Sequence, residues 1–328
     1  MNNLKELCRG KWRGILSTFG ISEKYLVNRH GPCPICCDGK DRFRFDDKGG
    51  DGTWFCSQCG AGNGFQMIKL VKGWQFKQVA KEVEKIVGKV DQGTIPQAEN
   101  PEEIRAERRT IFSASKPVEA DDLTSRFLAR RGLGSYRPCT DLRTLSNSVI
   151  FKGRTIAAPG MVAVVRGPDG KVVTMHRRAI EPDGTGQKQM LCRGSFPGGS
   201  AIRLFVPSAT LGVAEGITTA VAAALIHKVP TWALINAGNM EKFIIPQGVK
   251  TLFIFGDWDS SYTGQEAAYS LAKKSVARSK ATGLDVCRVS FPDLSRPDFD
   301  WNDLLLEKLN AQGGSMKHLN AEREGSPQ

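Results

Sequence analysis

The stretch Thr-Leu-Phe-Ile-Phe-Gly-Asp-Trp-Asp at residues 251–259 is a short apolar run that ends on two carboxylates. A run of this length, closed by a glycine, is typical of a buried strand. Side chains repeat every two residues along a strand, so two acids that alternate on extended backbone point the same way. The stretch therefore predicts a buried strand whose carboxyl end presents Asp257 and Asp259 together.

Apolar strands and helical stretches alternate on both sides of this run, from residue 206 to residue 311. The pattern predicts three further strands, at Leu211–Ala214, Thr231–Ile235 and Val286–Phe291. Between and after the strands it predicts three helices, at Thr218–Ile226, Gly264–Ser279 and Trp301–Leu309. Such alternation is typical of an α/β domain with a mostly parallel sheet. Ligands of these domains bind beyond the carboxyl ends of the strands, where the two aspartates would lie.

Two more acids occupy comparable positions. Glu215 directly follows the run Leu211–Ala214, and Asp300 follows the last predicted strand. We therefore expect both to lie at the same edge of the sheet as the aspartate pair. A cluster of carboxylates repels itself unless a divalent cation neutralises it, and hard oxygen ligands favour magnesium.

Four cysteines nearer the N-terminus form two closely spaced pairs, Cys33-Pro-Ile-Cys36 and Cys56-Ser-Gln-Cys59. Two residues between thiolates let one tight turn direct both sulfurs at a single ion, and two such pairs complete the tetrahedral shell of zinc. Four protein ligands leave no open position, so the sequence predicts one structural zinc ion. The alternative of four unrelated buried thiols is disfavoured by the paired spacing.

Basic and aromatic residues are interleaved beside these cysteine pairs. Arg42, Arg44 and Trp54 are the ones that we expect to contact nucleic acid, because bases stack on aromatic rings and phosphates pair with cations. The aromatic residues of this segment have an alternative role, as the small core of the zinc ribbon itself.

The whole chain of 328 residues carries a net charge of +12, which indicates a polyanionic partner, with simple solubility as the alternative. Nine cysteines is an odd number, which in a chain of this kind favours a metal site over a disulfide framework. The first helix-like stretch is interrupted by charges and lacks the apolar core of a signal peptide. We expect a cytoplasmic protein with no membrane partner.

The composition changes along the chain indicate several domains. The predicted parts are a helical segment at 1–28, a zinc ribbon with following helices at 29–88, a linker at 89–120, a basic α+β subdomain at 121–205, the α/β domain at 206–311 and a disordered tail at 312–328. In the basic subdomain, we expect Arg177 and Arg203 to contact nucleotide phosphate or template. The alternative for each is a solvated surface charge.

Two sets of motifs carry a resemblance to known families. Glu215 after an apolar strand, Asn236-Ala-Gly-Asn239 and Asp257-Trp-Asp259 resemble a Toprim domain, which bacterial-type primases, topoisomerases and some nucleases share. The segments at 30–36, 41–45 and 54–62 resemble the zinc-binding domain of phage and mobile-element primases. The two sets follow one another in the primase order.

The resemblance implies a multidomain fold in which a small zinc ribbon and an α+β subdomain lead into an α/β Toprim domain. It implies a DNA-directed RNA polymerase that makes short primers on single-stranded DNA from ribonucleoside triphosphates. Glu215, Asp257 and Asp259 would be catalytic, and with Asp300 they would bind two magnesium ions, which manganese could replace. The bacterial host cytoplasm would be its location, and a replicative helicase or replication initiator its partner.

Two departures from the primase pattern qualify this expectation. Many primases place another acid four residues after the glutamate, where this sequence has Thr219. No Gly-x-x-x-x-Gly-Lys-Ser/Thr motif occurs in the sequence, so we expect another protein to unwind the duplex. A non-catalytic recombination mediator and a Toprim nuclease are the alternative functions. A topoisomerase is disfavoured, since strand passage needs a nucleophilic tyrosine on a separate domain and no tyrosine of this sequence lies in an obvious domain of that kind.

Overall fold

The computed structural model describes residues 2–37, 39–91, 100–187 and 189–311, which fall into two compact units, Met1–Asn100 and Pro101–Gln328. Most of the predicted linker that precedes Pro101, and the whole predicted tail at 312–328, lie outside the described residues. Within the described ranges, no helix is both long and apolar enough to cross a membrane.

The described residues of the first unit form four α-helices, two short 3-10 helices and one small sheet. The α-helices and strands in chain order are α1 (Asn2–Cys8), α2 (Trp12–Thr18), β1 (Phe43–Phe45), β2 (Trp54–Cys56), β3 (Gly60–Gly62), α3 (Gly64–Lys72) and α4 (Phe76–Val87). The three strands form an antiparallel sheet in the order β1-β2-β3. Because the ribbon segment has few aliphatic residues, the helices supply most of the apolar core around it.

Trp12 of α2 is the centre of this core. Its ring lies edge-on to the ring of Phe65, with the ring centroids 4.7 Å apart. A side chain at Gly64 would collide with the same indole, which explains why α3 begins with a glycine. The side chain of Asn63 accepts a hydrogen bond from the backbone N–H of Gln66, and this cap fixes the start of α3 directly after the ribbon.

The second unit contains two main sheets. Its elements in chain order are α5 (Pro101–Ala114), β4 (Lys116–Pro117), α6 (Leu123–Arg130), β5 (Leu142–Leu145), β6 (Val149–Phe151), β7 (Arg154–Ala157), β8 (Gly160–Arg166), β9 (Val172–Ala179), β10 (Met190–Leu191), β11 (Thr210–Ala214), α7 (Ile217–His227), β12 (Thr231–Ala233), α8 (Ala237–Met240), β13 (Thr251–Phe255), α9 (Thr263–Ala277), α10 (Ser279–Thr282), β14 (Val286–Ser290) and α11 (301–311).

The first of these sheets is antiparallel, in the order β10-β9-β8-β5-β4. One face packs on α5 and on the β6–β7 hairpin, through buried residues that include Ile111 and Val162. The other face joins α6 to the core of the α/β domain through Met161, Ala163 and neighbouring residues. A buried sheet with both faces covered therefore links the basic subdomain to the α/β domain.

Helix α5 is part of this unit, although the sequence interpretation placed it in the linker at 89–120, as a charged helix near Glu102 to Arg109. Its apolar face is buried, and its Arg108 guanidinium donates hydrogen bonds to the backbone carbonyls of Val173 and Arg193. Charges on the exposed face of the helix obscured the short apolar stripe that packs inward.

The second sheet is fully parallel, in the order β12-β11-β13-β14. Leu252 and Ile254 face the core under α9, whereas Phe253 and Phe255 face the core under α7. Helices thus cover both faces of the sheet. The alternating pattern predicted this mostly parallel sheet, and β13 is the apolar run before Gly256 that the sequence predicted as a buried strand.

Strand β12 is two residues shorter than predicted, because the backbone turns sharply at Ile235. This residue has φ +76°, and the N–H of Asn236 donates to the carbonyl of Leu234 at 2.9 Å. The result is a γ-turn with a positive central φ, a rare conformation for a β-branched residue. The N–H of Ile235 also donates to the carbonyl of Glu215, so the turn lies beside the acidic edge of the sheet.

Candidate zinc and catalytic sites

The four paired cysteines converge on one point in the first unit. Their sulfur atoms all lie within 4.8 Å of one another, and those of Cys33 and Cys59 are 3.9 Å apart. Four sulfurs at about 2.3 Å from a tetrahedral zinc ion would be about 3.8 Å apart, which matches this spacing. The cluster therefore fits one zinc ion with four protein ligands.

The electrostatics of the cluster agree with a bound cation. Burial raises the pKa of the Cys33 thiol to about 11 and also raises the pKa of Cys59. Thiols with such pKa values stay protonated at neutral pH unless a metal ion stabilises the thiolate. Cys37, next to Cys36, is exposed and lies outside the group of four.

The ribbon does not expose all the residues that the sequence assigned to nucleic acid. Trp54 is only 3% exposed, stacks on Phe43 and donates its indole N–H to the carbonyl of Asn63. Its predicted stacking role is therefore corrected, and Trp54 belongs to the core of the ribbon. Phe55, the next residue, is 43% exposed on the opposite face, beside Arg44 on the neighbouring strand. Because side chains alternate along a strand, the sequence indicated that Trp54 and Phe55 face opposite sides of the sheet.

The two predicted arginines of the ribbon lie at its surface and have polar partners. The guanidinium of Arg42 donates to the side-chain carbonyl of Gln58, and that of Arg44 lies 3.5 Å from a carboxylate oxygen of Asp46. The predicted arginines of the second unit also contact their own chain. Arg177 donates to the carbonyl of Ile156.

Arg203 has a comparable role at the β8–β9 hairpin. It donates to the carbonyl of Gly167 in the turn at 3.0 Å, and its guanidinium lies over the ring of Trp232, 4.8 Å from the centroid. Contact with nucleic acid stays a prediction for all four arginines, each of which also has a polar partner within its own chain.

The predicted acids of the second unit gather at the carboxyl edge of the parallel sheet. β11 and β13 are direct neighbours, with Ala214 opposite Phe255. Glu215 and Asp257 follow these residues by one and two positions, and both side chains are half-buried. The predicted proximity of acids from separate strands is therefore present in the structure.

Asp259 and Asp300 also cap helices. One carboxylate oxygen of Asp259 accepts hydrogen bonds from the hydroxyl of Ser261 and the N–H of Thr263, and the other accepts from the N–H of Gly264. An Asp300 oxygen accepts from the N–H groups at 302 and 303, at the start of α11. A carboxylate has about four lone-pair sites, so Asp259 keeps roughly one for another ligand.

Asp257 differs because Oδ1 is buried and has no hydrogen-bond partner among the described residues. Burial, reinforced by the charges of Asp300 and Asp259, raises its pKa to about 7. Burial, followed by the charges of Asp257 and Asp259, raises the pKa of Glu215 to about 8. The pKa of Asp300 is raised as well, mainly by burial. A divalent cation would remove this repulsion and give the orphaned oxygen a partner.

The carboxylates are spaced more widely than the thiols. The ligand atoms of the four cysteines lie within 4.8 Å of one another. Among the described residues, the carboxylates do not form a group of three or more with such close spacing. Magnesium usually keeps several waters and binds one or two carboxylates together with substrate phosphates, so a looser arrangement fits this ion. Thr219, at the position where many primases have an acid, is buried in the first turn of α7.

Comparison with family models assigns both ends of the chain. Residues 28–65 match the zinc-binding domain of primase-helicase, and residues 210–311 match the Toprim domain. Residues 102–201 match a domain of unknown function (DUF7146). The chain therefore carries an N-terminal primase zinc ribbon, a middle α+β region and a C-terminal Toprim domain, which confirms the domain architecture that the sequence motifs predicted.

Solved primase structures are among the distant structural matches. The zinc-binding and RNA polymerase domains of Aquifex aeolicus primase are 17% identical, with 93% of this chain and 82% of that chain covered and a TM-score of 0.38. The primase fragment of the bacteriophage T7 primase-helicase is 15% identical, with 88% and 98% covered and a TM-score of 0.35. A DnaG primase catalytic domain bound to single-stranded DNA is 14% identical, with 66% and 78% covered and a TM-score of 0.40.

The zinc site predicts a sharp difference between two substitutions in the same ribbon. Cys56→Ser removes one of four ligands, and we expect bound zinc to fall from about one ion per chain to near zero, with loss of the ribbon's fold. Cys37→Ser, the control, should keep the metal. Zinc content measured by elemental analysis, together with thermal unfolding, checks this. Equal zinc in both variants would contradict the assigned ligand set.

The buried carboxylates predict a pH-dependent stability. The folded-state pKa of Glu215, about 8, is above its usual value of 4.5, so the folded protein retains a proton that the unfolded chain releases. The free energy of unfolding should therefore fall as pH rises from about 5 to about 8 in the absence of magnesium. Glu215→Gln should flatten this dependence, as measured by urea unfolding with zinc left in place.

The control for this measurement is Asp285→Asn. Asp285 is exposed and precedes β14, at the amino edge of the same sheet. This variant should keep the pH dependence of the parent protein. If Glu215→Gln unfolded with the same pH dependence as well, the assigned environment of Glu215 would be incorrect.

Proposed function

We propose that the protein is a DNA primase, which synthesises short RNA primers on single-stranded DNA from ribonucleoside triphosphates. The observation that supports this best is the half-buried pair Glu215 and Asp257, on neighbouring parallel strands of a Toprim domain, in a chain that also carries a primase zinc ribbon. Phage or plasmid replication in a bacterial cytoplasm is the proposed setting, with a replicative helicase or replication initiator as the partner.

Each acidic side chain has a distinct part in this proposal. Asp257 offers its orphaned Oδ1 to a magnesium ion, and Asp259 adds one contact while it holds the start of α9. Asp300 lies close enough to raise the pKa of Asp257 and is a further ligand. Glu215, on the strand next to Asp257, is assigned as general acid or base, and burial, the main cause of its raised pKa, favours a carboxyl that can hold a proton.

Magnesium supplies the remaining chemistry of nucleotidyl transfer. When bound, two magnesium ions, or manganese in their place, would lower the pKa of the attacking 3′-hydroxyl and neutralise the leaving pyrophosphate. The chain contributes the charge that attracts these ions and the buried surroundings that keep the carboxylates close together.

Loss of the central carboxylate should abolish synthesis. A metal ion provides several kcal/mol of transition-state stabilisation, and about 1.4 kcal/mol is a factor of ten in rate. We therefore expect Asp257→Asn to reduce primer synthesis about 100-fold or more. Labelled oligoribonucleotides made on single-stranded DNA with magnesium are the measurement, and Asp285→Asn, at the opposite edge of the sheet, is the matched control that should stay active.

The same assay separates the alternative functions. A recombination mediator would make no oligoribonucleotide, and its DNA binding would survive the double substitution of Asp257 and Asp259 by Asn. A nuclease would shorten labelled DNA in a reaction that Asp257→Asn stops. Folded, zinc-loaded protein that makes no product on any template sequence would refute the primase proposal.

The zinc ribbon is proposed to sense the template. It carries exposed Phe55 and surface Arg44 on one face of its sheet, which suits a single strand of DNA. Recognition of a start site is needed only at the first step of synthesis, whereas a primer that is already annealed positions the template by base pairing.

We expect Cys56→Ser to lower initiation on natural templates by about tenfold or more, the effect of losing one or two stacking or phosphate contacts. Extension of a pre-annealed primer should change much less. Measuring both rates for Cys56→Ser and for the control Cys37→Ser tests this role. If both rates fell equally, the ribbon would serve the fold of the enzyme and not template recognition.

A further inference from the structure

Three aromatic rings adjoin the acidic edge of the Toprim sheet, and the roles proposed above leave them unused. Trp258 lies between the two aspartates, and its ring centroid is 5.4 Å from that of Phe291 and 6.4 Å from that of Tyr262. Both contacts are edge-on, with interplanar angles of 67° and 74°. The rings pack edge-on against one another, and the ring of Tyr269 in α9 also contacts Phe291, with the centroids 5.6 Å apart.

Backbone contacts fix these rings beside the carboxylates. The ring of Phe291 lies against Gly256, where an added Cβ would be 2.5 Å from it, and Gly256 directly precedes Asp257. The backbone of Trp258 pairs with that of Phe299, the residue before Asp300. The N–H of Tyr262 donates to the carbonyl of Asp259.

Tyr262 has the most exposed ring of the three. Its side chain is 67% exposed, and its backbone is left-handed, with φ +61°. Glycine or asparagine is the usual residue in this conformation. Because the ring of Tyr262 is exposed, burial of the ring does not offset the unfavourable backbone conformation. Its position at the start of α9 places an exposed ring next to the hydrogen bonds that hold Asp259.

The local charges indicate which part of a ligand this surface suits. Asp257 and Asp259 flank Trp258 in the chain, and Asp300 follows Phe299, whose backbone pairs with that of Trp258. The nearby Arg296 stacks on Phe299 and pairs with Asp293 and Glu307. A phosphate would be repelled here unless a metal ion lay between, whereas a neutral, flat base would not. Base stacking on aromatic rings is also independent of sequence.

We propose that Trp258, Tyr262 and Phe291 form an aromatic ledge that stacks the base of a nucleotide whose phosphates lie at the Toprim carboxylates. This inference rests on the proposed function, because that function places nucleotide phosphates at Asp257. The base belongs either to the incoming ribonucleoside triphosphate or to the template strand, and the chemistry of stacking is the same for both.

The test compares variants that remove the ring with variants that keep it. Tyr262→Asn removes the ring with a residue that tolerates the left-handed backbone, and Tyr262→Phe keeps it. Trp258→Ala and Trp258→Phe form a second pair that does not depend on the turn. Phe112→Ala, which removes an exposed ring from α5, is the matched control.

Two binding measurements identify the source of the base. The first is the Kd of each of the four ribonucleoside triphosphates with magnesium, and the second is the Kd of a fluorescein-labelled oligothymidylate. Loss of one stacked base corresponds to about 5- to 150-fold weaker binding. Weaker binding of all four nucleotides by Tyr262→Asn and Trp258→Ala assigns the ledge to the incoming base, and weaker binding of the oligonucleotide alone assigns it to the template.

The Phe variants and the control should bind like the parent protein. If the ledge stacks the incoming base, Tyr262→Asn and Trp258→Ala should also raise KM for nucleotides with little change in kcat. Unchanged Kd values in both ring-removing variants would overturn the ledge, even in a protein that makes primers. Equal loss in Tyr262→Phe would also overturn it, since the ring is kept. Ring-dependent nucleotide binding without primer synthesis would keep the ledge and refute the primase proposal alone.

Discussion

The parallel pairing of β11 with β13 determines where the acidic side chains meet. Because Ala214 lies opposite Phe255, the chain leaves both strands at the same edge, and the next residues bring Glu215 and Asp257 together. Parallel sheets usually have both faces covered, and here α7 covers one face and α9 the other. The same apolar packing that stabilises the sheet therefore also determines where its acidic side chains lie.

At the acidic edge, the arrangement that would bind a cation lowers the stability of the folded domain. Burial holds the carboxylates near one another and raises the pKa of Glu215 and of Asp257, which weakens the domain at neutral pH until a cation binds. A site of this kind departs from the ordinary rule that buried charges are paired, and such departures are expected where function requires them. Asp259 shows a different solution, since the start of α9 already satisfies most of its oxygens.

Local patterns predicted much of this molecule. Cysteine spacing predicted which four thiols converge, and the apolar run predicted strand β13, because both signals act over a few residues. The role of Trp54 stayed open between nucleic-acid contact and ribbon core, since alternation shows that Trp54 and Phe55 face opposite sides but does not show which side is covered. The packing of α5 was missed, because it depends on a sheet formed by residues far along the chain.

Arg108 of α5 protects an unpaired edge of strand β9. β10 pairs with β9 only near His176 and Arg177, so the first residues of β9 have no strand beside them on that edge within the described residues. An open edge of this kind can recruit a strand from another molecule and start aggregation. The Arg108 guanidinium donates to the carbonyl of Val173 and places a positive charge at this edge, a feature that disfavours pairing with another strand.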